Sequence, residues 1–570
     1  MARKLQFADL ETELQALIVE KVLRPTDLVS LLLTSHHLHA LALKPLYRTI
    51  SLDLGNASDT RLAAFLSPAN KGLAHIRTLR LYLAHVRDRC GQKVQAALMT
   101  RMILEFLPEG GLERFCLPEL KKNPRMLADT FAHARKLVLY PENRATLDLC
   151  HFFVAHTTPA LEELVVHANF DAHPAQHDGP PPAPDARELN DSATAPGLLV
   201  RTIFAHFLPL DTCTPFAHLT SLRLHHVSLR YCAATWLRIV PFARIQHLLL
   251  YHCPGAAALF AHLGTAAHLP RNLHTLEFQH KDDDQDEALL ALDGFLCLVS
   301  GLRELVVDLE GVSTLPAAAG VARHGKTLAL LSIHGSRALA AADDMSSGAE
   351  ELVWSAEEFD KVCKACAPRL EQLSCAWPAT SLIRAASEEW QGFERGVVGR
   401  LRGLVTLQIT TFPSNKPSGQ LLPRAVYQVL LGGVAGGMFE LARGVGGGLA
   451  TAADAAAAAV SEEDTSTPPL TPPLPPSRLR LIAFGISETV YERADAQNQL
   501  LYLRSPRTQA DGREGVWAAP IGSCLRQFVE PRSECLDFVL KRRTEVPCRE
   551  REVGVGGWGM GLGIGGEEDE

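Results

Sequence analysis

The residues most able to do chemistry are Cys363 and Cys366, a C-x-x-C pair that could supply half of a tetrahedral zinc site. A structural zinc site needs a second pair at workable spacing, and the sequence has none. The surrounding SAEEFDKVCKAC opens with a Ser355/Glu358 capping box, and Phe359, Val362, Cys363 and Cys366 follow at helical spacing. Both thiols are therefore expected on the buried stripe of a helix. Of the 23 histidines, His36, His37 and His39 cluster near the N-terminus and His225-His226 close an apolar run, but no H-E-x-x-H occurs. The acidic run Lys281–Glu287 lacks the central glycine and the closing glutamate of a calcium loop, and reads as a solvated loop that starts a helix. There is no G-x-S-x-G, and the glycine runs at 432–448 and 554–566 lack the Lys-Ser/Thr of a phosphate cradle. The expectation is a non-enzyme with no metal and no cofactor.

Recognition rather than reaction is then what the chain must be built for, and a recurring pattern supplies the framework. L-x-x-L-x-L or a variant occurs at 218–224, 244–250, 272–278, 301–307, 369–375 and 403–409. Weaker copies lie at 75–81, 111–117, 134–139, 160–166, 327–333 and 478–484. The second leucines of the central copies, Leu222, Leu248, Leu276, Leu305 and Leu331, are separated by 26, 28, 29 and 26 residues, inside the range of leucine-rich repeats. Alternation puts the last two apolar residues of each copy on one strand face. Apolar stretches such as 254–269 and 286–301 are placed to return the chain as helices. One unit cannot cover its own strand face, whereas stacked neighbours can. The pattern resembles a leucine-rich-repeat horseshoe of the longer, helix-backed kind: an α/β fold with parallel strands. The asparagine or cysteine that such repeats place after the last leucine occurs only as Asn169 and Cys253, so regular curvature is not expected. The residues between the leucines, on the concave face, are the substrate-binding candidates: Arg223, His225, His247, Tyr251, Glu277, Gln279, Glu304, Asp308, His334, Gln372 and Gln408. Their mixture of aromatic, charged and amide groups suits a protein surface.

A chain of 570 residues is long for one compact core but comfortable for a small module plus an elongated repeat array, and 47% hydrophobic residues allow most of it to fold. A net charge of −8 gives no reason to expect nucleic acid or an anionic membrane as partner. Residues 1–14 lack the apolar core of a secretory signal, and with 13 scattered cysteines the expectation is reduced thiols in a cytoplasmic or nuclear protein. Three segments depart in composition: 171–197, rich in Pro and Ala; 413–476, a Gly/Ala tract followed by STPPLTPPLPPS; and the glycine-rich acidic end at 551–570. All three are expected to be disordered. The apolar stretch 429–460 carries Glu440, Arg443, Asp454 and many glycines, and reads as part of that linker rather than a membrane span. The repeat array is then placed at 70–412, with a terminal repeat and cap at 477–550.

Residues 5–52 form a separate module. Leu10, Leu14, Leu17, Ile18 and Val22 recur at helical spacing up to Arg24-Pro25. Thr26-Asp27 starts a second helix striped by Leu28, Leu31 and Leu32. Ser35 caps a third helix containing Leu38 and Leu41, which Pro45 is expected to close. The order of helices, with Asp27-Leu28, Thr34-Ser35 and the exit Leu46-Tyr47-Arg48-x-Ile50, resembles the F-box as fungal-type proteins write it. Where the family has Leu-Pro-x-Glu-Leu, this sequence has Leu10-Glu11-Thr12-Glu13-Leu14.

The resemblance covers about 45 residues and implies docking on a Skp-type adaptor, through it on a cullin, with the repeats holding a protein substrate for ubiquitin transfer. It further implies that Leu10, Leu14, Ile18, Leu28, Leu31, Leu32 and Leu38 serve adaptor binding. Read without the resemblance, the same helices could be a plain cap on a repeat scaffold that binds proteins outside any ligase.

Overall fold

Leucines two apart on an extended chain share one face, and a sequence that repeats them must bury that face against its neighbours. A computed structural model of the protein shows how this happens. It describes residues 7–20, 22, 25–53, 65–67, 69–82, 114–116, 135–139, 141, 150–151, 154, 161–168, 197–204, 216–282, 286–337, 350–378, 387–411, 424–444, 477–485, 499–508 and 514–521. The fold is α/β, with helices and mostly parallel strands, in two compact units that divide between Pro270 and Arg271.

The first unit opens with α1 (Thr12–Glu20), α2 (Pro25–Thr34) and α3 (His36–Arg48). Among the described residues seven strands follow: β1 (Thr49–Asp53), β2 (Thr78–Tyr82), β3 (Arg114–Cys116), β4 (Lys136–Leu139), β5 (Glu163–His167), β6 (Ser221–His225) and β7 (His247–Tyr251). They pair in sequence order and all in parallel. Helix α4 (Leu198–Ile203) precedes β6, α5 (Ala233–Ile239) leads from β6 to β7, and α6 (Ala256–Leu263) follows β7. Phe204, Phe216 and Trp236 meet edge to face behind these strands, with ring centroids 5.4–5.6 Å apart.

In the second unit, β8 (Thr275–Lys281), α7 (Glu287–Leu298), β9 (Glu304–Glu310), α8 (Ala318–Ala322) and β10 (Leu330–Arg337) continue the alternation. A two-residue strand, β11 (Glu350–Glu351), lies antiparallel on the end of β10. Next come α9 (Ala356–Cys366), β12 (Gln372–Cys375), α10 (Glu388–Arg400), β13 (Thr406–Ile409), α11 (Arg424–Gly444) and β14 (Leu481–Phe484), and β12, β13 and β14 extend the parallel sheet from β10. An antiparallel pair, β15 (Leu500–Thr508) and β16 (Glu514–Pro520), closes the edge. Phe359, Trp377, Trp390 and Phe393 build the aromatic core of α9 and α10.

Each of the twelve sequence copies is a strand, β2 to β10 and β12 to β14. The leucines used to measure the period are strand-to-strand partners. Leu137, Leu164, Leu222 and Leu248 form one row, and Leu276, Leu305, Leu331, Leu373 and Leu407 form another. Every one of these side chains is buried, each contributing on the order of 1.5–3 kcal/mol relative to exposure. The register survives steps of 58 and 42 residues, because a parallel pair constrains only the strand, not the length of its crossover.

The absent asparagine ladder is replaced by backbone. At strand entry one carbonyl accepts two successive N–H groups of the next turn. Arg135 O, Glu162 O and Thr220 O do so in the first unit, and His274 O, Arg303 O, Ala329 O, Glu371 O and Val405 O in the second, at 2.7–3.1 Å. A main-chain device of this kind needs no particular side chain. Where the cysteine does occur, Cys253 is buried and its thiol donates back to Leu224 O at 3.4 Å. His226 and His252, just past β6 and β7, take left-handed backbone (φ 54° and 50°), which turns Val227 and Cys253 into the core.

Two expectations need correction. Pro45 does not close α3, which runs on to Arg48. Proline removes one N–H but the last turn is held by packing, with Ala42 in the module core and Leu46 against it. Residues 424–444, assigned by composition to a disordered linker, form α11. Tyr427, Leu431, Ala435, Met438, Phe439 and Ala442 recur on one side and are buried against the β15–β16 end of the unit. Tyr502 Oη donates to Gln428 O at 2.7 Å, and Val516 N donates to Glu440 Oε1 at 2.6 Å. Four interior glycines disfavour this helix by about 1 kcal/mol each, and the buried face offsets that. Residues 425–443 are also long and apolar enough to cross a membrane by length and composition alone, with a third of that window buried. The insert at 171–197 (all but Gly197), the rest of 413–476 and the end at 551–570 lie outside the described residues.

Candidate functional site

The N-terminal module is turned in an unexpected way by a glutamine. Gln15 is buried, its amide donating to Leu10 O at 2.8 Å and Phe7 O at 3.1 Å and accepting from His37 Nε2 at 2.5 Å. It thereby ties the N-terminal turn and α3 to α1. With Gln15 and Val19 facing inward, the neighbouring apolar stripe of α1 faces out: Leu14 is 46%, Leu17 56% and Ile18 46% exposed. On α2, Leu33 is 83% exposed. Of the other expected adaptor-binding residues, Leu10 is half-buried, and Leu31, Leu32 and Leu38 pack part-buried against the module core. Leu28 belongs to that core with Val19 and Ala42, so a partner does not reach it. The module is joined to the sheet: β1 pairs with β2, Arg77 N donates to Arg48 O at 3.0 Å, and Tyr47 covers Gly72.

The strand face that alternates with the leucine rows carries the remaining candidates. In the first unit, His225 stacks on Tyr251 at 4.4 Å and on His167 at 3.9 Å, one ring per strand in register. Arg223 lies in the next row and His247 in the row beyond, both half-buried. His167 was not singled out from sequence, although its place one repeat back in ALEELVVH made it legible.

In the second unit the rows are acidic and amide-rich. Thr275 Oγ1 donates to a Glu304 carboxylate oxygen at 3.0 Å, and Glu277 is buried in the adjoining row. Gln279, Asp308 and His334 are partners across three strands. His334 Nδ1 lies 2.7 Å from Asp308 Oδ1 and its Nε2 lies 2.9 Å from Glu351 Oε1. Gln408 accepts from Ser374 Oγ and donates to Gly485 O, both at 3.0 Å, while Gln372 sits half-buried at strand entry. Glu351 had no sequence signal, because β11 is antiparallel and outside the repeat period.

This face is therefore not the freely solvated surface that alternation alone suggests. His225, Tyr251, Glu277, Gln279, His334 and Gln408 are buried, and the other five candidates are half-buried. Strands about 4.8 Å apart bring same-face side chains into contact along each row, and aromatic and amide groups close on one another.

Chemistry of the reactive groups points the same way. Cys363 and Cys366 lie on the buried face of α9, whose Ser355/Glu358 capping box is formed on both sides. Burial pushes the Cys366 thiol up to about 12. Among the described residues no group of three or more His, Cys, Asp or Glu is placed to hold a metal ion. Comparison with protein-family models and with curated proteins finds no match to this chain.

Proposed function

We propose that the chain is a substrate-recognition adaptor of a Skp–cullin–F-box ubiquitin ligase, itself non-catalytic. Its N-terminal helices act as an F-box that docks on the Skp-type adaptor. Its leucine-rich repeats, arranged as a horseshoe, hold a protein substrate in reach of the ubiquitin-carrying enzyme, so that proximity raises the rate. One observation carries the reading: α1 buries Gln15 and leaves Leu14, Leu17 and Ile18 in solvent, with Leu33 exposed on α2. Large aliphatic side chains grouped on one helix face are what a partner surface covers. Pull-down of the intact protein with a Skp-type adaptor and a cullin, beside an established F-box protein as control, tests this. Absence of the adaptor from the bound fraction would overturn it.

A second reading, a repeat scaffold outside any ligase whose helices only cap the array, is favoured by two observations. Glu11 stands where the family has proline, and β1 runs directly from α3 onto the sheet edge as a cap would. The readings separate on α1: a cap needs its buried face alone, whereas the F-box reading needs the exposed stripe.

A further inference from the structure

His334 stands between two carboxylates, and the hydrogen count of that arrangement has a consequence. An ionised carboxylate only accepts, and a neutral imidazole carries one N–H. If Asp308 and Glu351 are both ionised, His334 must carry protons on both ring nitrogens to meet Asp308 at 2.7 Å and Glu351 at 2.9 Å. If the ring is neutral, one of the two carboxyl groups must hold the proton instead. Either way the three groups share one proton beyond those of a neutral imidazole with two carboxylates.

We propose that Asp308, His334 and Glu351 form a one-proton latch that ties β11 to the end of β10 and releases it as pH rises. Strand β11 is two residues long, and its register contacts are Ser336 with Glu351 and Arg337 with Glu350. Leu352 N adds one bond to Gly335 O at 2.8 Å. Losing the proton leaves a bare ring nitrogen against a carboxylate, a repulsive pair in a half-buried place.

Among the described residues, the neighbouring strands bring further charged and titratable groups towards His334. From β9, Glu304 and Glu310 are partners of Leu330 and Ser336 and add negative charge; Glu310 is also partnered with Lys281 of β8. Gln279 of β8, the partner of Asp308, is uncharged. From β11, Glu350 is the register partner of Arg337, an exposed cation of β10 whose Nη2 lies 3.4 Å from Ser313 O. From β12, Cys375 is partnered with Ile333, and burial pushes its thiol up to about 12, so it stays neutral.

The test is hydrogen exchange of the full-length protein between pH 5 and pH 9, read at the Leu352 amide and corrected for the intrinsic rate. The range stays above the ordinary carboxylate pKa of about 4. One proton released on opening makes the opening constant rise about tenfold per pH unit between the titration point of His334 with β11 open and the higher one with β11 closed. Protection at Leu352 should therefore fall at least tenfold, while the amides of Leu330–Ile333 in the parallel part of β10 keep theirs. In Glu351→Gln a neutral His334 satisfies both sides, so protection should persist and be flat with pH. His334→Gln should also be flat. A flat wild-type profile overturns the proposal. So does a Glu351→Gln profile as steep as wild type, or a parallel loss along Leu330–Ile333, which would mean the sheet opens as a whole.

Discussion

Leu305→Ala tests the stacking of the repeats at its most central residue. Leu305 is fully buried on β9 and is the row partner of Leu276 on β8 and Leu331 on β10. The substitution removes three carbons, worth about 0.8 kcal/mol each in transfer free energy, or about 2.4 kcal/mol. A residual cavity of roughly 50 Å³ between two fixed neighbours adds about 1.2 kcal/mol at about 24 cal/mol per Å³. A loss of about 3–4 kcal/mol follows, which at an m-value of about 2 kcal/mol/M lowers the urea midpoint by about 1.5–2 M. Leu298→Ala is the control, on α7 but 49% exposed, with an expected change within about 0.5 kcal/mol. Equal midpoints for the two variants would refute the claim that the 26-to-29-residue period marks a registered, buried row.

Gly255→Ala should cost more than about 2 kcal/mol, because φ is +76° and the new Cβ would lie 2.4–2.5 Å from the Arg230 backbone; a urea midpoint within error of wild type would count against the left-handed turn after β7. His324 is buried and its Nε2 donates to Leu296 O at 3.1 Å. Burial first, then Arg323, holds its pKa below the ordinary value. The unfolded state then binds the extra proton, so stability falls as pH drops through about 6.5 towards 5. His324→Gln should flatten that limb in urea titrations across pH. Thiol alkylation of the native protein at pH 8 should label Cys297, the exposed cysteine among those described. Cys253, Cys366 and Cys375, pushed up to about 12 chiefly by burial, hold roughly one thiolate in ten thousand at that pH and should react only after unfolding.

The repeat frame was legible because its cause is periodic. Each strand needs the same two apolar places, so the pattern recurs, and even irregular spacings left the register intact. The α9 stripe was equally legible, since Ser355, Glu358 and the Phe359–Cys366 series are local signals. Helix α11 was not, because glycine-rich composition argues against a helix and only the β15–β16 end supplies the surface that orders it. The closing hairpin brings no leucine period of its own. On the candidate face, residue types were read correctly but their burial was not: contact between rows depends on register, which puts His225 on Tyr251 and His334 on Asp308. Leu28 and Leu14 look alike in sequence. Which of them faces out depends on how the three helices pack: Leu28 meets Val19 and Ala42, whereas beside Leu14 the inward place is taken by Gln15, whose three hydrogen bonds join parts of the module up to 22 residues apart.

The most direct test of the proposed function is calorimetric titration of the purified protein with a Skp-type adaptor, wild type against Ile18→Asp. Ile18 is 46% exposed on α1, so the variant should fold with an unchanged unfolding temperature. Placing a charge in the docked apolar stripe should weaken binding at least about 100-fold, or about 2.7 kcal/mol. A one-to-one complex lost in this way is the result the account predicts. No complex with the wild type, or equal affinity for both proteins, would contradict it.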